Sequence, residues 1–236
     1  MIDKLPSGSV AIDKLLAGGF ERGIITTVYG PAGAGKSNIS LLATFKVASS
    51  GKKVVFVDTE GSFSLERFAQ LDEINSASYL KNILILNPST FDEQKKVFSK
   101  LRDTINAEKV GLVIVDSIAM LYRLQKGSEE IQITNKEMAN QLALLSEIAR
   151  KKNIPVLVTN QVYADFEKQN DFKMVGGDLL KYWSKCIIKL EITESGQRKA
   201  SIYKHRSLPA GNSVFFEIVN AGLKEVTEQK KKFSLF

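Results

Sequence analysis

The chain has 236 residues, 44% of them hydrophobic and 25% charged, ordinary globular usage that suits one well-buried α/β domain and is short for two. Its 33 basic and 26 acidic residues leave a formal charge of +7, which suits phosphate backbones or acidic partners and says nothing of fold. A lone cysteine, Cys186, excludes an internal disulfide, and no apolar run reaches the ~18 residues of a membrane span. Gly111–Leu121 comes nearest and is broken by Asp116, while Met1–Ser9 lacks the apolar stretch of a signal peptide. A soluble cytoplasmic protein with no membrane partner is expected.

In chain order, a β-rich run at Ile24–Tyr29 leads straight into a glycine-rich loop, and Lys36–Ser50 reads as a helix stopped by Gly51. Lys53–Val57 is a short apolar run of the kind found in buried parallel strands, Ser64–Leu71 reads as helix and Ile83–Leu86 as strand. Phe91–Ala107 is helical, with Phe91, Val97, Phe98, Leu101 and Ile105 on one apolar face. Val110–Val115, Thr134–Lys152 and Val156–Thr159 follow as strand, long helix and strand. Strands alternating with helices predict a mostly parallel central sheet covered on both faces. After about Tyr182 the rhythm changes. Cys186–Ile192, Lys199–Lys204 and Val214–Ile218, with turns at Glu194–Gly196 and Pro209–Asn212, predict antiparallel strands extending that sheet. Leu121–Ile133 and Val162–Val175 lack periodicity, and loops of that length are functional or disordered.

The strongest motif is Gly30-Pro31-Ala32-Gly33-Ala34-Gly35-Lys36-Ser37, a G-x-x-x-x-G-K-S phosphate loop between a strand and a helix. Its glycines let backbone N–H groups converge on a polyphosphate, and the following helix turns its positive end to the same anion. Lys36 would reach the β/γ-phosphates of ATP, the Ser37 hydroxyl would ligate Mg²⁺, and Asn38 continues the nucleotide-binding set. Asp116, ending the apolar strand Leu112-Val113-Ile114-Val115, is placed to hold Mg²⁺; alone, such an Asp would equally be a turn or cap residue. Glu60, just past the strand Lys53–Val57, would accept a proton from the attacking water or orient it, and position alone does not separate that from a solvated turn acid.

Beyond these motifs, DTEGSFSLERF (58–68) resembles the segment that carries the catalytic glutamate in archaeal and eukaryotic RecA-type recombinases. LPSGSVAIDKLLAGGFERG (5–23) resembles the approach to the phosphate loop in RadA-like proteins, LVTNQV (157–162) the strand whose terminal Gln senses the γ-phosphate, and RSLPAG (206–211) the late hairpin. These runs spread over nearly the whole chain, which is most similar to the short archaeal paralogues of RadA. The resemblance implies a RecA-like phosphate-loop NTPase core at residues 1–228, with a basic and then apolar solvated tail at 229–236. It implies Glu60 as general base, Gln161 as γ-phosphate sensor, and Arg67 as a guanidinium stacked on adenine, beside the plainer role of a surface helix residue. Lys204 and Arg206 alternate at a strand end and so share a direction, which suits cations acting in trans on a neighbour's γ-phosphate or a solvated hairpin edge. His205 would face the other way and is given no role.

In the resembled family two loops line the single-stranded DNA path, here Met120–Thr134 with Arg123 and Lys126, and Val162–Gly177 with Lys168 and Lys173 among Tyr163, Phe166 and Phe172. Cations and rings suit single-strand binding, but the acids Glu129, Glu130, Asp165, Glu167 and Asp171 bring these loops near neutrality, so weak binding is expected. Recombinases of the family carry an N-terminal DNA-binding domain and an F-x-x-A polymerisation linker ahead of the core, and this chain opens at the core. Phe45-Lys46-Val47-Ala48 spells that pattern inside a helix, where Phe45 reads as core packing. The resemblance therefore implies a homo-dimer or small oligomer rather than a long filament. It implies an accessory in DNA repair and homologous recombination, a weak ATPase that regulates or loads the main RadA-type recombinase. The same residues would serve a nucleotide-switched binding module with incidental hydrolysis, or a ring-forming RecA-fold motor.

Overall fold

The computed structural model describes residues 3–107, 109–124, 128–164 and 172–229. Lys4–Leu5 (β1), Val10–Leu15 (α1) and Phe20–Glu21 (β2) precede Ile25–Tyr29 (β3) and the phosphate-loop helix Lys36–Ser49 (α2). Lys53–Asp58 (β4), Leu65–Ala69 (α3), Ser76–Leu80 (α4), Ile83–Leu86 (β5), Phe91–Ala107 (α5) and Val110–Asp116 (β6) follow. After a 3₁₀ turn at Leu121–Leu124 come Ser128–Lys152 (α6), Val156–Asn160 (β7), Val162–Ala164 (β8), Phe172–Met174 (β9) and Gly177–Trp183 (α7). Cys186–Ile192 (β10), Arg198–His205 (β11), Ser213–Val219 (β12) and Gly222–Val226 (β13) complete the described chain.

Among the described residues nine strands form one sheet in the order β13-β12-β11-β10-β3-β7-β6-β4-β5. Every pair from β10 to β5 is parallel, and β11, β12 and β13 add antiparallel. The expected antiparallel extension therefore starts one strand later, because Cys186–Ile192 joins β3 in parallel. Alternate residues of the parallel strands enter different cores, as period-two geometry requires. Val28, Val54, Phe56, Leu112, Ile114 and Leu157 pack with α1 and α2, whereas Ile25, Val55, Val57, Val113, Val115, Val156 and Val158 pack with α5, α6 and α7. Phe45 meets Phe68 at 5.4 Å and Tyr79 at 5.5 Å between ring centroids, so it packs on its neighbours as its helical position predicts.

The two stretches that lack periodicity carry regular elements among the described residues. Helix α6 starts at Ser128, not Thr134. Thr134, Met138 and Gln141 are buried at helical spacing, which is the periodicity the sequence shows. β8 and β9 pair antiparallel within Val162–Val175, and three-residue strands are too short to show alternation. Among the described residues no helix is long and apolar enough to cross a membrane.

Candidate functional site

The phosphate loop leaves the sheet at the carboxyl end of β3. A Cβ on Gly30 would stand 2.4 Å from the Leu190 carbonyl oxygen of β10, so glycine is required for the strand-to-loop step itself. Gly33 and Gly35 adopt φ of +74° and +104°, the left-handed region that turns the loop back over the start of α2. The first amides of α2 have no intrahelical acceptor and, with the helix dipole, make an anion seat. Pro31 is half-buried, Ala32 is exposed and Ala34 is buried, so the loop is open on one side and anchored on the other.

Lys36 is buried and folded across this loop, its Nζ donating to the carbonyl oxygens of Gly30 (2.9 Å) and Pro31 (3.0 Å). Burial pushes it below the ordinary lysine value, and the fields of Glu60 and Asp116 work the other way. Among the described residues no carboxylate is in ion-pair contact with it. A buried ammonium resting on neutral carbonyls is short of an anion.

Asp116 ends β6 opposite Asp58 of β4. It is buried and accepts hydrogen bonds from Thr159 Oγ1 and from Ser62 Oγ (3.0 Å). Burial pushes its carboxyl above the usual range; the hydroxyls of Thr159, Ser37 and Ser62 lower it and the nearby Glu60 raises it further. The Ser37 hydroxyl is near enough to lower the Asp116 carboxyl, so the two residues that the sequence offers to Mg²⁺ are neighbours. Hard oxygens from a hydroxyl and a carboxylate fit Mg²⁺, which keeps several waters and takes few protein ligands. Among the described residues no cluster of three His, Cys, Asp or Glu competes as a metal cage.

Asp58 was not among the expected site residues, yet it organises the loop that carries Glu60. Its Oδ1 accepts the amides of Glu60 (3.2 Å) and Ser62 (2.9 Å), and its Oδ2 accepts the amide of Phe63 (2.9 Å). Thr59 Oγ1 donates to the Ser117 carbonyl (2.7 Å) and accepts the Ser117 amide (3.0 Å), locking the ends of β4 and β6 together. The loop so built presents Glu60 to Gln161, at the carboxyl end of β7. Gln161 Nε2 donates to both Glu60 oxygens, at 3.0 and 2.9 Å. Ser62 and Thr159 were missed because each works through Asp116, 54 and 43 positions away, and Asp58 because a loop-building carboxylate looks like any strand-end acid. The one local clue was the Asp58-to-Ser62 spacing, an Asp whose carboxylate bonds amides just ahead of it.

Arg67 donates from Nε to Asn38 Oδ1 (3.0 Å), from Nη1 to Gln70 Oε1 (2.8 Å) and the Asn220 carbonyl (2.9 Å), and from Nη2 to the Val219 carbonyl (2.6 Å). It ties α3 to α2 and to the β12–β13 turn through the edge of its plane. Of the four cations expected on the DNA path, Lys126 and Lys168 lie outside the described residues. The backbone of Arg123 is placed in the 3₁₀ turn after β6 and that of Lys173 in β9, both following strands that end beside the phosphate loop.

Lys204 and Arg206 are not brought together. Lys204 Nζ donates to the carbonyl oxygens of Lys181 and Ser184 (2.9 Å) at the end of α7, whereas Arg206 Nε lies 2.6 Å from Glu21 Oε2 on β2. β11 stops at His205, so strand alternation does not extend to Arg206. His205 is itself built in: Nδ1 accepts the amides of Ser207 and Leu208, both at 3.1 Å, and Nε2 faces Glu21 Oε1 at 3.5 Å. Its Cα partner Cys186 pairs in turn with Thr26, which places this cluster at the amino end of the sheet, opposite the chain's own phosphate loop. Burial pushes the Cys186 thiol up to about 12, which disfavours its thiolate.

A phosphate loop after the central parallel strand, a hydroxyl-bound carboxylate two strands away and a second carboxylate just past the strand beyond define a RecA-like phosphate-loop core. The Rad51 family model matches residues 1–226. A DNA repair and recombination protein RadB of Methanococcoides burtonii is 42% identical over 225 residues, covering 94% of this chain and 98% of that one. One from Halobacterium salinarum is 37% identical over 225 residues, covering 93% and 94%. A crystal structure of the RadB recombinase superposes with a TM-score of 0.81 at 37% identity, covering 94% of this chain and 100% of that chain. The chain belongs to the Rad51 family, within its RadB branch.

Proposed function

We propose that the chain is an ATP-binding DNA repair and homologous recombination protein, an accessory to the main RadA-type recombinase with weak Mg²⁺-dependent ATPase activity and weak affinity for single-stranded DNA. The observation that carries the nucleotide reading is Lys36, buried at the loop mouth on two carbonyls and, among the described residues, in ion-pair contact with no carboxylate. Lys36 and the backbone amides of the loop hold the phosphates. The Ser37 hydroxyl and the Asp116 carboxylate would hold Mg²⁺, which when bound neutralises charge on the β- and γ-phosphate oxygens. Glu60 orients water and takes its proton on a carboxylate oxygen. Gln161 occupies both of those oxygens, which supports slow turnover until a γ-phosphate offers the amide another acceptor.

The repair role rests on the RadB relatives and the DNA role on the loops leaving β6 and β7, where Arg123, Lys126, Lys168 and Lys173 would meet phosphates. Lys204 and Arg206 would reach a neighbour's nucleotide in a homo-dimer or small oligomer, consistent with their place opposite the chain's own loop. The test of the nucleotide site is calorimetric titration of a nonhydrolysable ATP analogue. Lys36→Ala should weaken binding by about 10- to 100-fold, since a hydrogen bond to a charged group contributes ~1.5–3 kcal/mol. Equal affinity would remove the loop from the function.

A further inference from the structure

At the amino end of the sheet two adjoining cavities, of about 530 and 470 Å³, open between the carboxyl ends of α6 and α7. They share Ser146, Arg150 and Trp183, so they form one groove. Its apolar lining comes from Ala143 on one side and from Ile24 and Ile25 on the other. Tyr182, 72% exposed, stands at its rim. Trp, Tyr and Arg around a concave surface are the residue types that dominate protein–protein hot spots.

The charges lining it are not balanced. Glu147, its one acid, is already engaged by Arg102 and Lys151, each at 2.7 Å, and Arg206 by Glu21. Arg150 and Lys185 are exposed and, among the described residues, form no ion pair. Lys204 nearby is pushed below the usual lysine range by burial and then by the charge of Lys185, as expected where cations crowd. Trp183 packs partly into the core and meets Tyr182 edge-on at 86°, so it forms a wall more than a stacking platform for bases.

We propose that this groove docks an acidic segment of a partner protein, with an apolar side chain seated against Trp183 and carboxylates on Arg150 and Lys185. The site goes beyond the nucleotide reading: of its lining only Arg206, already held by Glu21, enters that reading, and the proposed contacts rest on Trp183, Arg150 and Lys185. Trp183 is the only tryptophan of the chain, so its emission reports the groove directly. The experiment titrates the full chain with a blocked decapeptide of glutamates around one phenylalanine, with its lysine counterpart, and with a thymidine decanucleotide. The acidic peptide should shift the emission saturably, Arg150→Glu should weaken that binding at least about tenfold, and adding Lys185→Glu should abolish it. Both positions are exposed, so melting temperatures should hold, and Lys36→Ala should leave peptide binding intact. The idea is overturned if no probe shifts the emission, if peptide binding ignores Arg150→Glu, or if the oligonucleotide binds more tightly with the same sensitivity.

Discussion

Replacing Asp58 by Asn asks whether one buried carboxylate builds the loop that carries Glu60. Asp58 is 4% exposed and accepts the amides of Glu60 and Ser62 on one oxygen and that of Phe63 on the other. Asn keeps a single acceptor. With its oxygen toward Glu60 and Ser62, its amide nitrogen faces the Phe63 N–H, donor against donor; flipped, it fails two amides instead of one. The better arrangement loses one hydrogen bond to a charged acceptor, about 2–3 kcal/mol. For a chain of 236 residues each kcal/mol lowers the melting temperature by about 2–4 °C, so a fall of about 4–12 °C is expected by circular dichroism. Hydrogen exchange should accelerate at Phe63 before the other two amides. Analogue affinity should stay within about threefold, because Asp58 makes no hydrogen bond to Gly30–Ser37, while any turnover should drop as Glu60 loses its aim. An unchanged melt together with a still-protected Phe63 amide would refute the reasoning.

Three further outcomes follow from the same contacts. Gly30→Ala drives a Cβ to 2.4 Å from the Leu190 carbonyl oxygen, so it should destabilise the nucleotide-free protein by about 1–3 kcal/mol; a wild-type denaturation midpoint would contradict that close approach. Gln161→Ala should leave ADP affinity alone and cut the preference for ATP by about tenfold, and an unaltered ATP-to-ADP ratio would take Gln161 away from the γ-phosphate. His205 is held below the ordinary histidine value, first by burial, against Glu21 and with help from Lys4 and Arg206. The unfolded chain therefore takes the proton first as pH falls below about 6.5, so this histidine contributes stability at neutral pH that is lost toward the lower folded value. His205→Asn keeps an acceptor for the Ser207 and Leu208 amides without titrating, and should flatten the fall in melting temperature between pH 7 and 5. It is the only histidine, so an identical profile in the variant would place the titration elsewhere.

What the sequence shows plainly here is what neighbouring residues decide. Val54, Val55, Phe56 and Val57 are buried on both faces of the sheet, so they read as one apolar run, and Gly51 at φ +79° ends α2 where its lack of a Cβ says it should. The phosphate loop is legible for the same reason, its geometry being set by eight consecutive residues. Asp116 is half legible: the strand that carries it is apolar and obvious, but the hydroxyls that hold it come from residues 62 and 159, and no local pattern announces two such distant donors converging on one carboxylate.

The amino end of the sheet was least legible, and Arg206 shows why. Alternation predicts a shared direction for Lys204 and Arg206 only while the strand continues, and β11 ends between them. Beyond that point the backbone is steered by His205, whose ring takes the amides of Ser207 and Leu208 while Arg206 turns onto a glutamate 185 positions earlier in the chain, counting from 206 to 21. Period-two reasoning has no term for a side chain that replaces the next strand partner. The groove beside it is hidden for a related reason: Arg150 and Lys185 are 35 positions apart, each reads alone as a solvated cation, and only the parallel docking of β10 beside β3 brings the ends of α6 and α7 to one opening. Charge that looks dispersed along a chain becomes a site when a parallel sheet gathers the carboxyl ends of its crossover helices at one edge, and at this edge of the described chain no acid is left over to balance Arg150 and Lys185.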